Sequence, residues 1–275
     1  MRGLTAEAGE AMSGESVRVP DRHDFDRDGA VCLRGVVGHD WVERLRAATE
    51  WALEHPVGME FGADAAARYY AELFPWRRHT EFREFSLSSG VADVARRLTG
   101  TADVRLFYDY LLVKEPGGSP ATPWHQDQPY YPATGTDVCS IWVALDEVTS
   151  ANGGLEYVQG SHRWGKILTG QSMQSGFDRP DLEAIPDIDA NRRSYKLLSW
   201  DLRPGDCVVH HSLTVHGGPS NMSQQRRRGL AIRWLYGDVR FAPLQNTSPQ
   251  VAQVAREAGL EPGDQFRGAL FPVPT

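Results

Sequence analysis

The spacing of hydrophobic and polar positions changes once along the chain, near Val104. Before that point the pattern is mostly helical. Asp28-Gly29 is a turn signal, and Ala30 to Val36 reads as a strand that Gly38 breaks. Asp40, with Glu43 three residues on, predicts a capped helix from Trp41 to Glu54. Its apolar residues Trp41, Leu45, Ala48 and Ala52 form one stripe. A second helix is expected over Ala65 to Leu73 with Asp64 as its cap, interrupted by Pro75-Trp76-Arg77-Arg78. A third runs from Val91 to Leu98 and stops at Thr99-Gly100.

After Val104 the period is that of strands. Val104 to Lys114 is rich in aromatic and branched residues and is stopped by Pro116-Gly117-Gly118. Further strands are expected at Trp124 to Asp127, Asp137 to Val148, Leu155 to Val158, Lys196 to Trp200, Asp206 to His211 and Gly229 to Tyr236. In the second of these, Ile141, Val143 and Leu145 share one face, and Trp142 and Ala144 the other. Asn152-Gly153-Gly154 and Pro204-Gly205 read as turns. Residues 164–193 show little periodicity, which predicts a lid or binding loop. Helices first and short antiparallel strands afterwards predict a mainly β, double-layer jelly roll with a helical N-terminal flank. An α/β sheet would need helices between the later strands, and only a short one at Val251 to Ala258 is visible. The expected organisation is a loose tail over 1–22 and one domain over 23–275.

Charge and cysteine usage narrow the partners. The net charge of −7 argues against nucleic acid or an anionic membrane as the main partner. Cys32, Cys139 and Cys207 form no CxxC pattern, so a disulfide framework or zinc knuckle has no support. A reducing, cytoplasmic setting is the plain reading. No apolar run approaches the ~18 residues of a membrane helix, and Met1 to Pro20 lacks an apolar signal core.

The candidate chemistry centres on Trp124-His125-Gln126-Asp127. In an extended strand His125 and Asp127, two residues apart, point to one face. His216 closes a strand-like run further on. Two His and one carboxylate on one side of a metal are the mark of nonheme Fe(II) oxygenases. Taken alone, the trio reads about equally well as a buried hydrogen-bonded pair and an unrelated His. His210 and His211 read as core residues or as supports of the metal ligands. In Arg226-Arg227-Arg228 alternation puts Arg227 with Gly229 and Ala231 on one face, where small neighbours leave room for a ligand. Arg226 and Arg228 take the other, solvated face.

Five segments occur in one order: Trp124-His-Gln-Asp127, Asn152-Gly-Gly-Leu155, Gly160-Ser-His162, Arg203-Pro-Gly-Asp206, and His216-Gly-Gly-Pro-Ser-Asn221 followed by Arg226-Arg-Arg228. With this set the chain resembles the phytanoyl-CoA dioxygenase (PhyH) family of Fe(II)- and 2-oxoglutarate-dependent oxygenases, from about His23 to Phe241. The resemblance implies a double-stranded β-helix (jelly roll, cupin-like), with Fe(II), 2-oxoglutarate and O2. It implies hydroxylation of a small-molecule substrate with release of succinate and CO2. Desaturation, epoxidation or cyclisation are the alternative outcomes. The implied iron ligands are His125, Asp127 and His216. Arg227 matches the cosubstrate arginine by its offset from His216, and a planar guanidinium suits a carboxylate through two parallel hydrogen bonds. Trp142 and Tyr110 match positions lining the cosubstrate pocket, and Gln126 is a further candidate there. Asn221 matches a family Asn and is equally a turn residue.

Two other classes compete. A noncatalytic cupin-like binding module would lack a ligand or the arginine, and neither is missing. A zinc hydrolase would need a general base beside the metal water, and no Glu adjoins the motif. A halogenase is disfavoured because Asp127 occupies the position that a small residue takes in that branch. Trp76, Arg77 and Arg78, with 164–193, are the expected substrate-pocket segments. An Arg there suits an acidic substrate group or simply the surface. The substrate class stays open between a free metabolite, a secondary-metabolite scaffold and a CoA- or carrier-bound acyl group.

Overall fold

The computed structural model describes residues 21–62, 67–170, 173, 179–244 and 247–275. The chain opens with α1 (Arg22–Asp28), β1 (Ala30–Leu33) and α2 (His39–Glu54). A hairpin of β2 (Met59–Phe61) and β3 (Tyr69–Leu73) precedes α3 (Thr80–Ser88) and α4 (Val91–Thr99). The strands then follow as β4 (Arg105–Lys114), β5 (Thr122–His125), β6 (Ala133–Thr134), β7 (Val138–Ala144) and β8 (Glu156–Val158). Next come β9 (Leu168–Thr169), β10 (Glu183–Ala184), β11 (Leu197–Ser199), β12 (Cys207–His211) and β13 (His216–Gly218). The chain closes with β14 (Arg227–Leu235), β15 (Arg240–Phe241) and α5 (Pro249–Glu257).

Two antiparallel sheets face each other. The larger has the order β1-β12-β7-β14-β4-β3-β2, and the smaller β11-β8-β13-β5. The alternation of each strand divides the large sheet into two faces. Leu111 and Val113 of β4, Ile141 and Val143 of β7, Val209 of β12 and Ile232 of β14 face outward. Leu45, Phe82, Phe85 and Leu98 from α2, α3 and α4 belong to the same core cluster and cover them. The opposite face, with Trp142, Ala144, Val208 and Ala231, packs toward Tyr157 of the small sheet. This is the expected jelly roll with its helical flank. Among the described residues no helix is long and apolar enough to cross a membrane.

Several local expectations change. Tyr69 to Leu73 form a strand, not the end of a helix, because pairing with β4 lets Tyr69, Ala71 and Leu73 face inward together. The proposed cap Asp64 lies outside the described residues. Gly38, not Asp40, is the N-cap of α2, and Asp40 sits in its first turn, where its charge favours the helix N-terminus. Helix α1 is held by an Asp21–Asp24 capping box, so residues 21 and 22 belong to the fold; the rest of the expected tail, 1–20, lies outside the described residues. Helix α3 carries Phe82 and Phe85 in the core, one turn apart.

Asp206 fixes the base of the roll. Its carboxylate accepts from Arg34 Nη1 at 2.7 Å, Gly35 N at 2.8 Å and Arg203 N at 2.9 Å. Arg34 brings its guanidinium to the carboxylate from the segment after β1. Gly205, beside it, exchanges backbone bonds with Val37 and Ala144. Its φ is +91°, and a Cβ there would overlap the Val37 carbonyl oxygen. Gly205→Ala is therefore expected to lower unfolding free energy by roughly 1–3 kcal/mol in urea denaturation; an unchanged midpoint would contradict this reading.

Candidate metal centre

The small sheet brings the two imidazoles together. In the β13–β5 pairing His216 lies directly opposite His125, and the ring centroids are 4.1 Å apart. Each ring is oriented in the same way. His125 Nδ1 lies 2.8 Å from the Pro123 carbonyl oxygen, and His216 Nδ1 lies 2.9 Å from that of Thr214. Donation from Nδ1 to these carbonyls places the proton there and leaves both Nε2 lone pairs free for a metal.

Asp127 reaches the same point by a different route from the one expected. Strand β5 ends at His125, and Asp127 has helical backbone angles at the start of a short turn. The i, i+2 alternation of an extended strand is therefore not what aligns it. Its N–H and that of Gln128 both donate to the Ser212 carbonyl, which fixes the turn. Asp127 Oδ1 then lies 3.7 Å from His125 Nε2 and 4.0 Å from His216 Nε2. The three ligand atoms lie within 4.8 Å of one another, close enough to share one ion.

The second carboxylate oxygen is tied back. Oδ2 accepts from Ser140 Oγ at 3.0 Å and pairs with His210 Nε2 at 3.2 Å. His210 thus braces a candidate ligand. Arg233 Nη2 approaches Oδ1 at 3.4 Å while its Nε donates to Tyr131 Oη at 2.7 Å. Burial alone would raise the Asp127 carboxyl, but Arg233 first, and then the neighbouring His125 and His210, carry it well below the usual carboxylate range. Burial first, then its two imidazole neighbours, hold His216 well below the ordinary histidine value. At neutral pH the carboxylate is charged and the His216 imidazole neutral, as ligation requires.

A cavity opens from this trio. Phe61, Tyr69, Tyr108, Tyr110, Tyr130 and Met173 line it, and Arg233 is its one cationic side chain among the described residues. Tyr110, the residue expected to line the cosubstrate pocket, is on the wall of this cavity. Behind the trio the inner face of β14 carries Arg227, which is 1% exposed. Its Nε and Nη2 have no partner, and neither do Trp142 Nε1 and Tyr157 Oη. Tyr157 stacks on the His216 ring, so these unpaired donors run from the metal site to Arg227. Buried donors without partners are costly, and a ligand with several oxygens would satisfy them. A dicarboxylate that reaches from the metal to Arg227 fits this set. The register agrees with the alternation expected for the three arginines: Arg226 pairs with Glu50 and Glu115, and Arg228 with Glu50 and Asp146, on the other face. The room left by Gly229 is taken by the Trp142 ring, which a Cβ there would overlap.

Gln126, Trp76, Arg77 and Arg78 lie away from the cavity. Gln126 is fully buried and acts as a clamp: its Nε2 donates to Leu213 O at 2.9 Å, and its Oε1 accepts from Leu168 N at 2.7 Å. Both bonds turn it away from the cosubstrate pocket. Trp76 belongs to the outer core, and its backbone N–H donates to Asp109 on the outward face of β4. Arg77 pairs with Glu257, and Arg78 with Glu72. The substrate-pocket reading of these three is corrected, because none of them lines the cavity: Trp76 is buried in the outer core, and the two arginines are held by carboxylates elsewhere. The expected lid over 164–193 contains β9 paired to β10, with Gln126 pinning it at Leu168. Residues 171–172 and 174–178 lie outside the described residues. Sequence reading missed Ser140, Tyr157, Lys114 and Arg233. Continuing the β14 alternation from Arg227 through Gly229 and Ala231 places Arg233 on the inner face, so that signal was present.

Comparison with known proteins agrees with this geometry. The chain is 26% identical over 197 residues to a probable phytanoyl-CoA dioxygenase of Caenorhabditis elegans, covering 65% of this chain and 62% of the relative. It is 31% identical over 152 residues to a probable alpha-ketoglutarate-dependent hypophosphite dioxygenase of Stutzerimonas stutzeri, covering 55% and 51%. The chain thus matches less than two thirds of the length of these relatives. Among solved structures, the non-heme alpha ketoglutarate dependent carbocyclase SnoK from nogalamycin biosynthesis superposes with a TM-score of 0.76 at 26% identity, covering 97% of this chain and 100% of that one. The sequence of residues 25–229 matches the phytanoyl-CoA dioxygenase (PhyH) family across three quarters of the chain, and the protein belongs to that family.

Proposed function

We propose that the protein is an oxygenase that uses Fe(II), 2-oxoglutarate and dioxygen to hydroxylate a small, largely apolar organic molecule. The observation that carries this reading is the placement of two free Nε2 atoms and one carboxylate oxygen at the mouth of an aromatic cavity, with unpaired Arg227 donors behind them. Iron and 2-oxoglutarate, when bound, supply the oxidation, with succinate and CO2 as coproducts. The protein's part is positional. Ser140 and His210 hold Oδ2 of Asp127, so Oδ1 is the oxygen offered to the metal. The ligands occupy one side and leave the cavity side open. Arg227 holds the distal carboxylate, and Trp142, with Arg227 5.4 Å above its ring, closes that pocket to water.

The cavity favours an apolar scaffold over a CoA thioester, since aromatic and methionine side chains dominate its wall and, among the described residues, no basic cluster lines it. A secondary-metabolite scaffold with an oxygen function near Arg233 suits this chemistry. The likeness to a carbocyclase over nearly the whole chain gives ring formation as the second reading.

His125→Ala, Asp127→Ala and His216→Ala are each expected to abolish 2-oxoglutarate turnover and to remove thermal stabilisation by Fe(II), with the circular dichroism spectrum unchanged. Near-normal turnover with bound iron in any one of them removes that residue from the ligand set.

Arg227→Lys keeps the charge but loses the planar fork, so the apparent KM for 2-oxoglutarate is expected to rise roughly tenfold or more, the equivalent of about 1.4 kcal/mol. Arg227→Ala is expected to be worse. Arg226→Ala and Arg228→Ala, on the outer face, are expected to leave KM nearly unchanged. A titration of 2-oxoglutarate at saturating iron decides the matter: a large KM effect in either outer variant and none at Arg227 overturns the assignment.

A further inference from the structure

The inner face also holds a buried lysine, Lys114. Lys114 is the last residue of β4, and Arg227 the first of β14, and the two are register partners in the antiparallel pairing. Both side chains therefore share the inner face. Lys114 is fully buried. Among the described residues neither cation has an ion pair. Lys114 Nζ donates to the Pro219 carbonyl at 2.8 Å, while Arg227 Nε and Nη2 have no partner. The nearby carboxylates Glu115 and Asp146 are taken by Arg226 and Arg228 on the other face. Charging both side chains here is unfavourable unless a ligand brings an anion.

The lysine is held in place. Tyr69, its register partner on β3, puts its ring 5.1 Å from Nζ and also hydrogen-bonds Arg227. Asn221 Nδ2 donates to the Lys114 carbonyl at 3.1 Å. Gly153 gives the stem room: its φ is +89°, and a Cβ there would come within 2.9 Å of Lys114 Cδ and 3.3 Å of Nζ. The Asn152-Gly153-Gly154 turn thus opens a channel for this side chain as well as reversing the chain.

We propose that Lys114 is a second cationic partner for the distal carboxylate of 2-oxoglutarate, beside Arg227, and that it takes up a proton when the cosubstrate binds. The proposal rests on the cosubstrate role given to Arg227. Without an anion, burial first and Arg227 second push the Lys114 ammonium down to about 6. The groups packed against Nζ are Arg227 from β14, Tyr69 from β3 and the uncharged Pro219 carbonyl and Gly153 turn; none of them is an anion. A bound carboxylate favours the charged form and raises this value. Affinity for 2-oxoglutarate is then greatest below the free value and falls as pH rises from about 6 through the bound value, by up to about tenfold per pH unit.

The test is isothermal titration of anaerobic, Fe(II)-loaded protein with 2-oxoglutarate at about pH 7.5, in two buffers of different ionisation enthalpy. The native protein is expected to take up close to one proton per ligand. Lys114→Met is expected to lose the uptake and to bind about tenfold or more weakly. Lys114→Arg, permanently charged, is expected to bind within a few-fold of native without uptake. Native binding with no proton uptake overturns the proposal, as does a folded Lys114→Met that keeps native affinity and uptake. If Lys114→Met does not fold, the native proton count and Lys114→Arg decide. An Arg227→Ala variant with native affinity would instead overturn the cosubstrate assignment; an Arg227 effect with none at Lys114 overturns this inference alone.

Discussion

The structure depends on one buried carboxylate. Asp127 leaves the end of a small-sheet strand and is held by residues of three neighbouring large-sheet strands: Ser140 on β7, His210 on β12 and Arg233 on β14. A buried charge must be compensated, and this one is compensated from across the roll. The same contacts join the two sheets and sort the two oxygens. Oδ2 is tied to Ser140 and His210, while Oδ1 faces His125 and His216 with Arg233 beside it. Loss of any of the three supports would loosen the sheet junction and the ligand geometry together, so fold and site are not separable at this point.

The inner face is organised as a gradient of chemistry along β14. Arg233 is matched by Asp127 at one end, and Ala231 lies in the middle. Arg227 lies at the other end beside Lys114, with no ion-pair partner among the described residues. In the proposed function, that asymmetry separates a place for metal from a place for a carboxylate. The period of two in a strand enforces the separation. A slip of one residue would send Arg226 or Arg228 inward and Arg227 to the acidic residues outside. The pairing of Arg226 and Arg228 with Glu50, Glu115 and Asp146 opposes that slip.

The fold and the ligand trio were legible in the sequence because they depend on short-range patterns. Strand alternation marked β4, β7 and β14, and the spacing of the Gly- and Pro-containing turns marked the meander. The trio was readable from residue type, yet the geometric reason given for it was wrong. Asp127 aligns through a turn bonded to Ser212, and a tertiary hydrogen bond leaves no trace in spacing. The helix expected near Tyr69 failed for a related cause. Pairing with β4 decides that segment, and its alanines and glutamate suggested otherwise. Trp76, Arg77 and Arg78 could not be placed at all from sequence, because the side of the sheet they fall on depends on how the segment folds back across β4. Gln126 lay between two ligands but serves as a clamp for the segment at Leu168.

The central claim is that His125, Asp127, His216 and Arg227 together support oxidative turnover of 2-oxoglutarate. Succinate formation measured by mass under air and under argon, with Fe(II), tests it most directly. The account predicts succinate and CO2 in equal amounts under air, none under argon, and none in His216→Ala. Succinate-free protein that binds iron and 2-oxoglutarate in air, or turnover that persists in His216→Ala, would contradict it.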